Sequence, residues 1–242
     1  MSNFKELYSN IFLNNKLYDY NTQELSEKFE RFSQILVAEN AKYNLTAVKN
    51  DELIVPLHFA DSLLGAEYIP MGARVLDVGS GAGFPALPFA IARKDVSVTA
   101  LDSTAKKMAF AESVARELGV EGFLAVSGRA EELARDSTYR EKYSFVCARA
   151  VARLNILSEL CLPFVSVGGY FLAMKGAVGE EEYAEAKRGI EVLGGRLELL
   201  EEKALYVSEN ESQKRTFVLI RKAFETPVGY PRMYSKILKK PL

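Results

Sequence analysis

A single histidine, two cysteines and almost no net charge limit what this chain of 242 residues can do. His58 stands alone, which leaves no second imidazole for a His-based metal site and no other histidine for a Ser/His/Asp triad. Cys147 and Cys161 lie too far apart for a disulfide scaffold and form no Cys-x-x-Cys pair, so both read as small buried hydrophobes. The cytosol is the expected compartment. The longest apolar stretches, around residues 78–92 and 160–174, are broken by Gly and Pro and fall short of the roughly 20 residues a spanning helix needs. The N-terminal segment mixes Asn, Lys and Glu without an apolar signal-peptide run. With 31 Lys plus Arg against 32 Asp plus Glu, the formal charge of −1 argues against a generally basic nucleic-acid coat protein but leaves a local basic patch open. No metal and no membrane partner is expected, and the chain reads as a monomer.

What is present is ordinary globular material, 48% hydrophobic and 26% charged, enough for one large domain with an appendage. Leu25, Phe29, Phe32 and Leu36 recur at helical spacing after Asn21, with Glu24 three residues on as a capping box. A second helix is predicted over 50–64 and another before Asn21, with no strand signal before residue 72. Short apolar runs then alternate with helical stretches: 74–78, 96–101, 123–126, 145–148 and 170–174 read as buried strands, followed by a helix over 180–193 and strands at 196–205 and 216–221. Such alternation implies parallel strands joined by crossover helices, an α/β fold. The expected organisation is a helical cap over 1–71 and an α/β body with a basic tail over 72–242, forming one structural unit.

The most informative segment runs Val75-Leu76-Asp77-Val78-Gly79-Ser80-Gly81-Ala82-Gly83-Phe84-Pro85, a strand, a glycine turn and the start of a helix. A dinucleotide fingerprint requires Gly or Ala where Phe84 stands, so an NAD site is the weaker reading. Gly79 and Gly81 still let backbone approach a ligand, and the next helix offers N–H groups to a carboxylate such as the methionine end of S-adenosyl-L-methionine (SAM). Asp102 closes the second strand, where a carboxylate accepts both ribose hydroxyls of an adenosine-type ligand or caps the following helix. Glu131 opens a helix after the third strand, beside an adenine amino group or simply at the favourable end of the helix dipole. Arg149 ends the fourth strand on the edge where open α/β sheets bind ligands, unless it is a solvated loop residue. Lys175 ends the fifth, as a phosphate contact or a cap on the sheet. His58 shares a helix face with Asp61 and has no nucleophile beside it, which favours a structural or RNA-facing role over base catalysis.

Together these pieces resemble, over essentially the whole chain, the RsmG family, also called glucose-inhibited division protein B, the bacterial 16S rRNA guanine-N7 methyltransferases. The matching elements are Asn44-Leu45-Thr46-Ala47, His58 with Asp61-Ser62-Leu63, the Asp77 to Pro85 turn, Asp102 with Lys106-Lys107, Arg129-Ala130-Glu131, Arg149-Ala150-Val151-Ala152, Lys175-Gly176, Thr226-Pro227, Tyr230-Pro231-Arg232 and Lys240-Pro241-Leu242. Ala86 departs from the pattern, where the family continues the turn with Gly, and residues 228–229 and 233–237 loosen the tail motif. The resemblance implies a class I, Rossmann-like SAM-dependent methyltransferase fold with a mostly parallel seven-stranded sheet, helices on both faces and a helical cap. It implies cofactor contacts at Gly79, Phe84, Ala130, Glu131 and Arg149, with Asp102 at the ribose, and 16S rRNA or the small ribosomal subunit as partner.

The chemistry of the residues agrees. Guanine N7 is an unprotonated acceptor that can attack a sulfonium methyl without a base, so such an enzyme needs alignment more than acid/base groups, and no catalytic side chain is assigned. The Asn/Asp-Pro-Pro-Tyr trace of exocyclic-amine methylation is replaced here by Cys147-Ala148-Arg149-Ala150, and neither cysteine has the context of a cytosine-C5 nucleophile. From Ser212 onward eight basic residues face the single acid Glu225, leaving 23 basic and 31 acidic residues in the body. Interleaved with Tyr230 and Tyr234, this tail suits phosphate contact and base stacking, with Arg221, Lys222, Arg232, Lys239 and Lys240 as candidate RNA contacts beside Lys175. The alternative is a solvated basic edge and a frayed terminus. A small-molecule methyltransferase and a non-catalytic nucleotide- or RNA-binding module are the competing functions.

Overall fold

The computed structural model describes residues 4–48, 50–177 and 180–242. Helix α1 spans Phe4–Asn14 and α2 spans Gln23–Tyr43. The N-cap of α2 is Thr22, whose hydroxyl accepts from Leu25 N at 3.3 Å. The capping box expected at Asn21 is therefore absent, and Glu24 instead pairs with Lys94 and Lys28. The apolar stripe behaves as its spacing demands: Leu25, Phe29, Phe32 and Leu36 are all buried.

The second predicted helix is a composite. A 3-10 turn over Asp51–Leu53 leads into a π-helical stretch, Val55–Ala60, and one α turn, α3, Asp61–Leu63. π-helical turns widen the backbone and are frequent at functional sites. This one carries His58 and delivers Asp61.

Beyond the cap, strands β1 (Arg74–Val78), β2 (Ser97–Asp102), β3 (Phe123–Ser127), β4 (Tyr143–Arg149), β5 (Val165–Lys175), β6 (Gly195–Tyr206) and β7 (Ser212–Lys222) form one sheet in the order β3-β2-β1-β4-β5-β7-β6. The first five are parallel; β7 runs antiparallel to both β5 and β6. The chain thus has the mostly parallel seven-stranded α/β fold expected of it.

Successive side chains alternate between two cores, as a pleated strand requires. Val75, Phe145, Cys147 and Leu172 join α1, α2 and the aromatic residues of the cap together with helices α4 (Ala86–Ala92) and α5 (Ala105–Glu117). Leu76, Val78, Val146, Ala148 and Phe171 face helices α7 (Leu154–Cys161) and α8 (Glu180–Val192). Cap and sheet residues thus share one hydrophobic core. An aromatic chain joins them: Phe29 lies 4.6 Å from Phe59, and Phe32 stacks on Phe84 at 5.3 Å between ring centres.

The tail is built into the second core. Arg140 donates to the carbonyls of Tyr230 at 2.8 Å and Thr226 at 2.6 Å, and Arg135 to that of Pro231 at 2.9 Å. Helix α9, Tyr234–Lys239, follows, with Ile237 buried. Among the described residues, no helix is long and apolar enough to cross a membrane, and no cluster of three His, Cys, Asp or Glu side chains has metal-binding geometry.

Candidate active site

The carboxyl ends of β1, β4 and β5, the start of β7 and the cap residues Leu57, His58 and Asp61 border a cavity of about 560 Å³, which Asp102, Ala130 and Glu131 do not line. Its floor is the glycine turn after β1. Gly81 has a φ of +58°, a left-handed conformation that favours glycine, and open space where a Cβ would stand. The turn is tied down from behind: Asp102, ending β2, accepts from Gly81 N at 3.0 Å through one oxygen and from Thr104 N at 2.8 Å through the other. Thr104, not Asp102, is the N-cap residue of α5.

Beneath the turn Asp77 is fully buried, and desolvation pushes its pKa up to about 6. It accepts from Ala86 N at 3.2 Å, and Leu87 N is bonded to Gly83 O at 2.7 Å. The expectation that the first N–H groups of the following helix meet a ligand carboxylate is therefore corrected. Asp77 and the turn have already taken them, and the cation next to this turn is Arg149. Both cysteines are buried with their thiol pKa values pushed up by desolvation, so they are packing groups and not nucleophiles.

Arg149 ends β4, and its Nη1 donates to Asp61 at 2.8 Å and to Leu57 O at 3.0 Å. Leu57 sits in the π-helical stretch and Asp61 directly after it. The other Asp61 oxygen accepts from Arg215 Nε at 2.7 Å, bringing β7 to the same point. Cap, parallel sheet and antiparallel edge thus meet at one nearly buried carboxylate. Neither Asp61 nor Arg215 was a predicted site residue. Arg215 was hidden among the basic residues of the tail, and Asp61 was visible only as the residue three places after His58.

His58 stacks on Phe84 at 4.3 Å and bonds Thr46 Oγ1 through Nε2 at 2.7 Å. Burial, aided by the Arg149 charge, lowers its pKa to about 3, so the ring is neutral at pH 7. His58 and Ser80 both line the cavity, the Ser80 hydroxyl bonded to the Asp77 carboxylate and the His58 ring to the Leu57 backbone. The neutral imidazole has a consequence for stability. The unfolded chain gains a proton on His58 below about pH 6.5 and the folded chain does not, so this residue withdraws stability as pH falls from 6.5 towards 3, by up to about 1.4 kcal/mol per pH unit. Denaturant titrations of wild type and His58→Phe should converge with falling pH over that window; parallel curves would contradict the assignment.

The remaining predicted residues divide. Ala130 and Glu131 open α6, Ala130–Leu133; Glu131 is buried and paired with Arg129 at 2.6 Å, and Arg129 lies 5.0 Å from the Tyr234 ring. Lys175 lines the cavity but bonds Ala152 O at 2.6 Å and pairs with Glu182 at 2.8 Å. Lys222, proposed as an RNA contact, is fully buried, holding Leu162 O, Thr226 Oγ1 and Glu141 within 3.1 Å, and desolvation lowers its pKa to about 8. It is a packing residue. Arg232 is committed to the buried Glu159 through Nε at 2.9 Å and Nη2 at 2.6 Å. Arg221 is exposed, but the antiparallel register pairs it with Tyr170, whereas Thr216 pairs with Lys175 at the cavity edge. It therefore lies towards the far end of the sheet. Lys239 and Lys240 are exposed.

A second cavity of about 580 Å³, lined by Asn14, Tyr18, Glu67, Lys203 and Tyr206, holds none of the predicted site residues.

The family model described as rRNA small subunit methyltransferase G matches residues 25–210. The chain belongs to that family. Family relatives named ribosomal RNA small subunit methyltransferase G include one from Brevibacillus brevis, 44% identical over 91% of this chain and 92% of that protein. Another from Clostridium novyi is 39% identical over 96% of this chain and 95% of that protein. Among solved structures, P. horikoshii TYW2 in complex with MeSAdo superposes with a TM-score of 0.56 at 17% identity, over 69% of this chain and 64% of that one. YcgJ from Bacillus subtilis gives 0.53 at 16% identity, over 69% of this chain and 100% of that one. These structural likenesses support the class I methyltransferase fold.

Proposed function

We propose that this chain is a SAM-dependent methyltransferase that methylates N7 of a guanine in 16S rRNA, acting as a monomer in the cytoplasm on free rRNA or the small ribosomal subunit. Membership of the rRNA small subunit methyltransferase G family carries the reading. The cavity agrees with it: a glycine turn and an arginine meet at the carboxyl edge of the sheet, where open α/β folds bind ligands.

In this reading Asp102 accepts the ribose hydroxyls, Ala130 and Glu131 border the adenine beyond the cavity, and Arg149 meets the methionine carboxylate with the part of its fork that Asp61 does not use. Gly79, Gly81 and Phe84 border the cavity with Arg149. When bound, SAM supplies an electrophilic methyl group on a sulfonium. Guanine N7 presents a lone pair and no proton, so the chain needs no general base, and neutral His58, stacked and bonded to Thr46, is not placed as one. Alignment of the two reactants can supply about 7–11 kcal/mol, making positioning the main catalytic device. Exposed Lys239 and Lys240 remain as phosphate contacts, with Lys175 and Arg215 at the cavity.

Methyl-labelled SAM offered with unmodified 16S rRNA, small-subunit particles, 23S rRNA and free nucleosides tests this. Label should enter 16S rRNA or its particle, less efficiently as salt rises, because phosphate contacts release counterions. Label confined to free nucleosides would favour a small-molecule enzyme, and RNA binding without transfer a non-catalytic module.

A further inference from the structure

The carboxylate of Asp61 is the only acidic side chain among the described residues that line the cavity. It is held rigidly, one oxygen on Arg149 at 2.8 Å and the other on Arg215 at 2.7 Å. A carboxylate has about four lone-pair sites, so each oxygen keeps acceptor capacity after taking one guanidinium N–H. Two guanidiniums from different strands fix its plane, which is the preorganisation that base reading requires. Leu57, Met174 and Phe217 border the same cavity and offer apolar surface to a planar ring.

We propose that Asp61 reads the target base, accepting hydrogen bonds from N1–H and the exocyclic N2–H of guanine. This rests on the methyltransferase reading above. Guanine is the base whose Watson–Crick edge offers two adjacent donors to a carboxylate; adenine has an acceptor at N1. That geometry also leaves N7, on the opposite edge, free to react. In the transfer the bond from sulfur to the methyl carbon breaks as the bond from N7 to that carbon forms. Positive charge passes from sulfur to the guanine ring, and no proton moves. As the ring becomes cationic its N1–H and N2–H become better donors, so their bonds to Asp61 strengthen towards the transition state. An interaction that grows in this way raises kcat and not only affinity. The same carboxylate would thus select guanine and assist its methylation.

Replacing the target guanine by inosine removes only the 2-amino group. Wild-type kcat/KM should fall about tenfold or more on the inosine RNA, with much of the loss in kcat, because a hydrogen bond to a charged acceptor is lost. In Asp61→Asn the guanine-to-inosine ratio should shrink to about twofold or less, while SAM affinity measured by calorimetry stays within about threefold of wild type. Equal wild-type rates on the two RNAs would overturn the proposal without requiring any variant to fold. So would an unchanged ratio in Asp61→Asn, which would make Asp61 a support for its arginines. A loss of SAM affinity accounting for the whole defect would make it a cofactor contact instead. A wild-type protein that methylates neither RNA overturns the function itself, and the proposal with it.

Discussion

Replacing Asp102 with Ala should weaken SAM binding by about 100-fold, the largest single effect expected at the site. Two hydrogen bonds from ribose hydroxyls to a charged acceptor are at stake, each worth roughly 1.5–3 kcal/mol, and water recovers part of that when the side chain is removed. The geometry adds a second cost. Asp102 also holds Gly81 N at 3.0 Å and Thr104 N at 2.8 Å, so its removal frees the glycine turn that floors the cavity. Asp102→Asn, which keeps an acceptor but not the charge, should lose about tenfold. Calorimetric titration with SAM reads both. Wild-type affinity in Asp102→Ala would refute the ribose assignment.

Arg232→Ala should lower stability by about 3 kcal/mol and the melting temperature by roughly 6–12 °C. Glu159 is wholly buried, and its two oxygens accept the Arg232 backbone N–H at 2.8 Å and the guanidinium at 2.6–2.9 Å. Removing one partner of a buried pair strands a charge, which typically costs 3–5 kcal/mol. The lower end applies because the Arg232 side chain keeps 22% exposure. Arg232→Lys should recover only part, since an ammonium cannot reproduce the two-pronged contact. RNA affinity measured well below the melting transition should stay close to wild type. An unchanged melting temperature with lost RNA binding would restore Arg232 as an RNA contact.

These two residues mark the limits of the sequence. Asp102 was legible because its position follows from strand order: an acid ending the strand after a glycine turn lies beside that turn in a parallel sheet, and the register brings it there. The sheet itself was legible from alternating apolar runs, because parallel strands buried on both faces leave a strong signal. Arg232 and Lys222 were misjudged because a count of charges cannot distinguish a solvated basic tail from one whose charges are neutralised internally. Their partners Glu159 and Glu141 lie 73 and 81 positions away, on elements whose own periodicity says nothing about the tail. Asp61 and Arg215 escaped for a related reason. They meet across 154 positions, and the π-helical stretch that turns Asp61 towards Arg149 leaves no mark in a helical repeat. Local pattern reports elements, whereas charge pairing is settled by tertiary contact.

The acidic body and basic tail read from composition also change meaning. Part of the tail's positive charge is neutralised inside the protein, by Glu141 and Glu159, and Arg215 meets Asp61 at the cavity. The exposed lysines of α9 and Lys240 remain for a phosphate backbone.

The most direct test of the central claim is the identity of the methylated nucleoside. After reaction with labelled SAM, 16S rRNA should be digested to nucleosides and the labelled product identified by mass and by comparison with authentic 7-methylguanosine. A single labelled species matching 7-methylguanosine, missing from reactions without the protein, is the predicted result. Label on any other base or ring position, or none on RNA at all, would contradict the account.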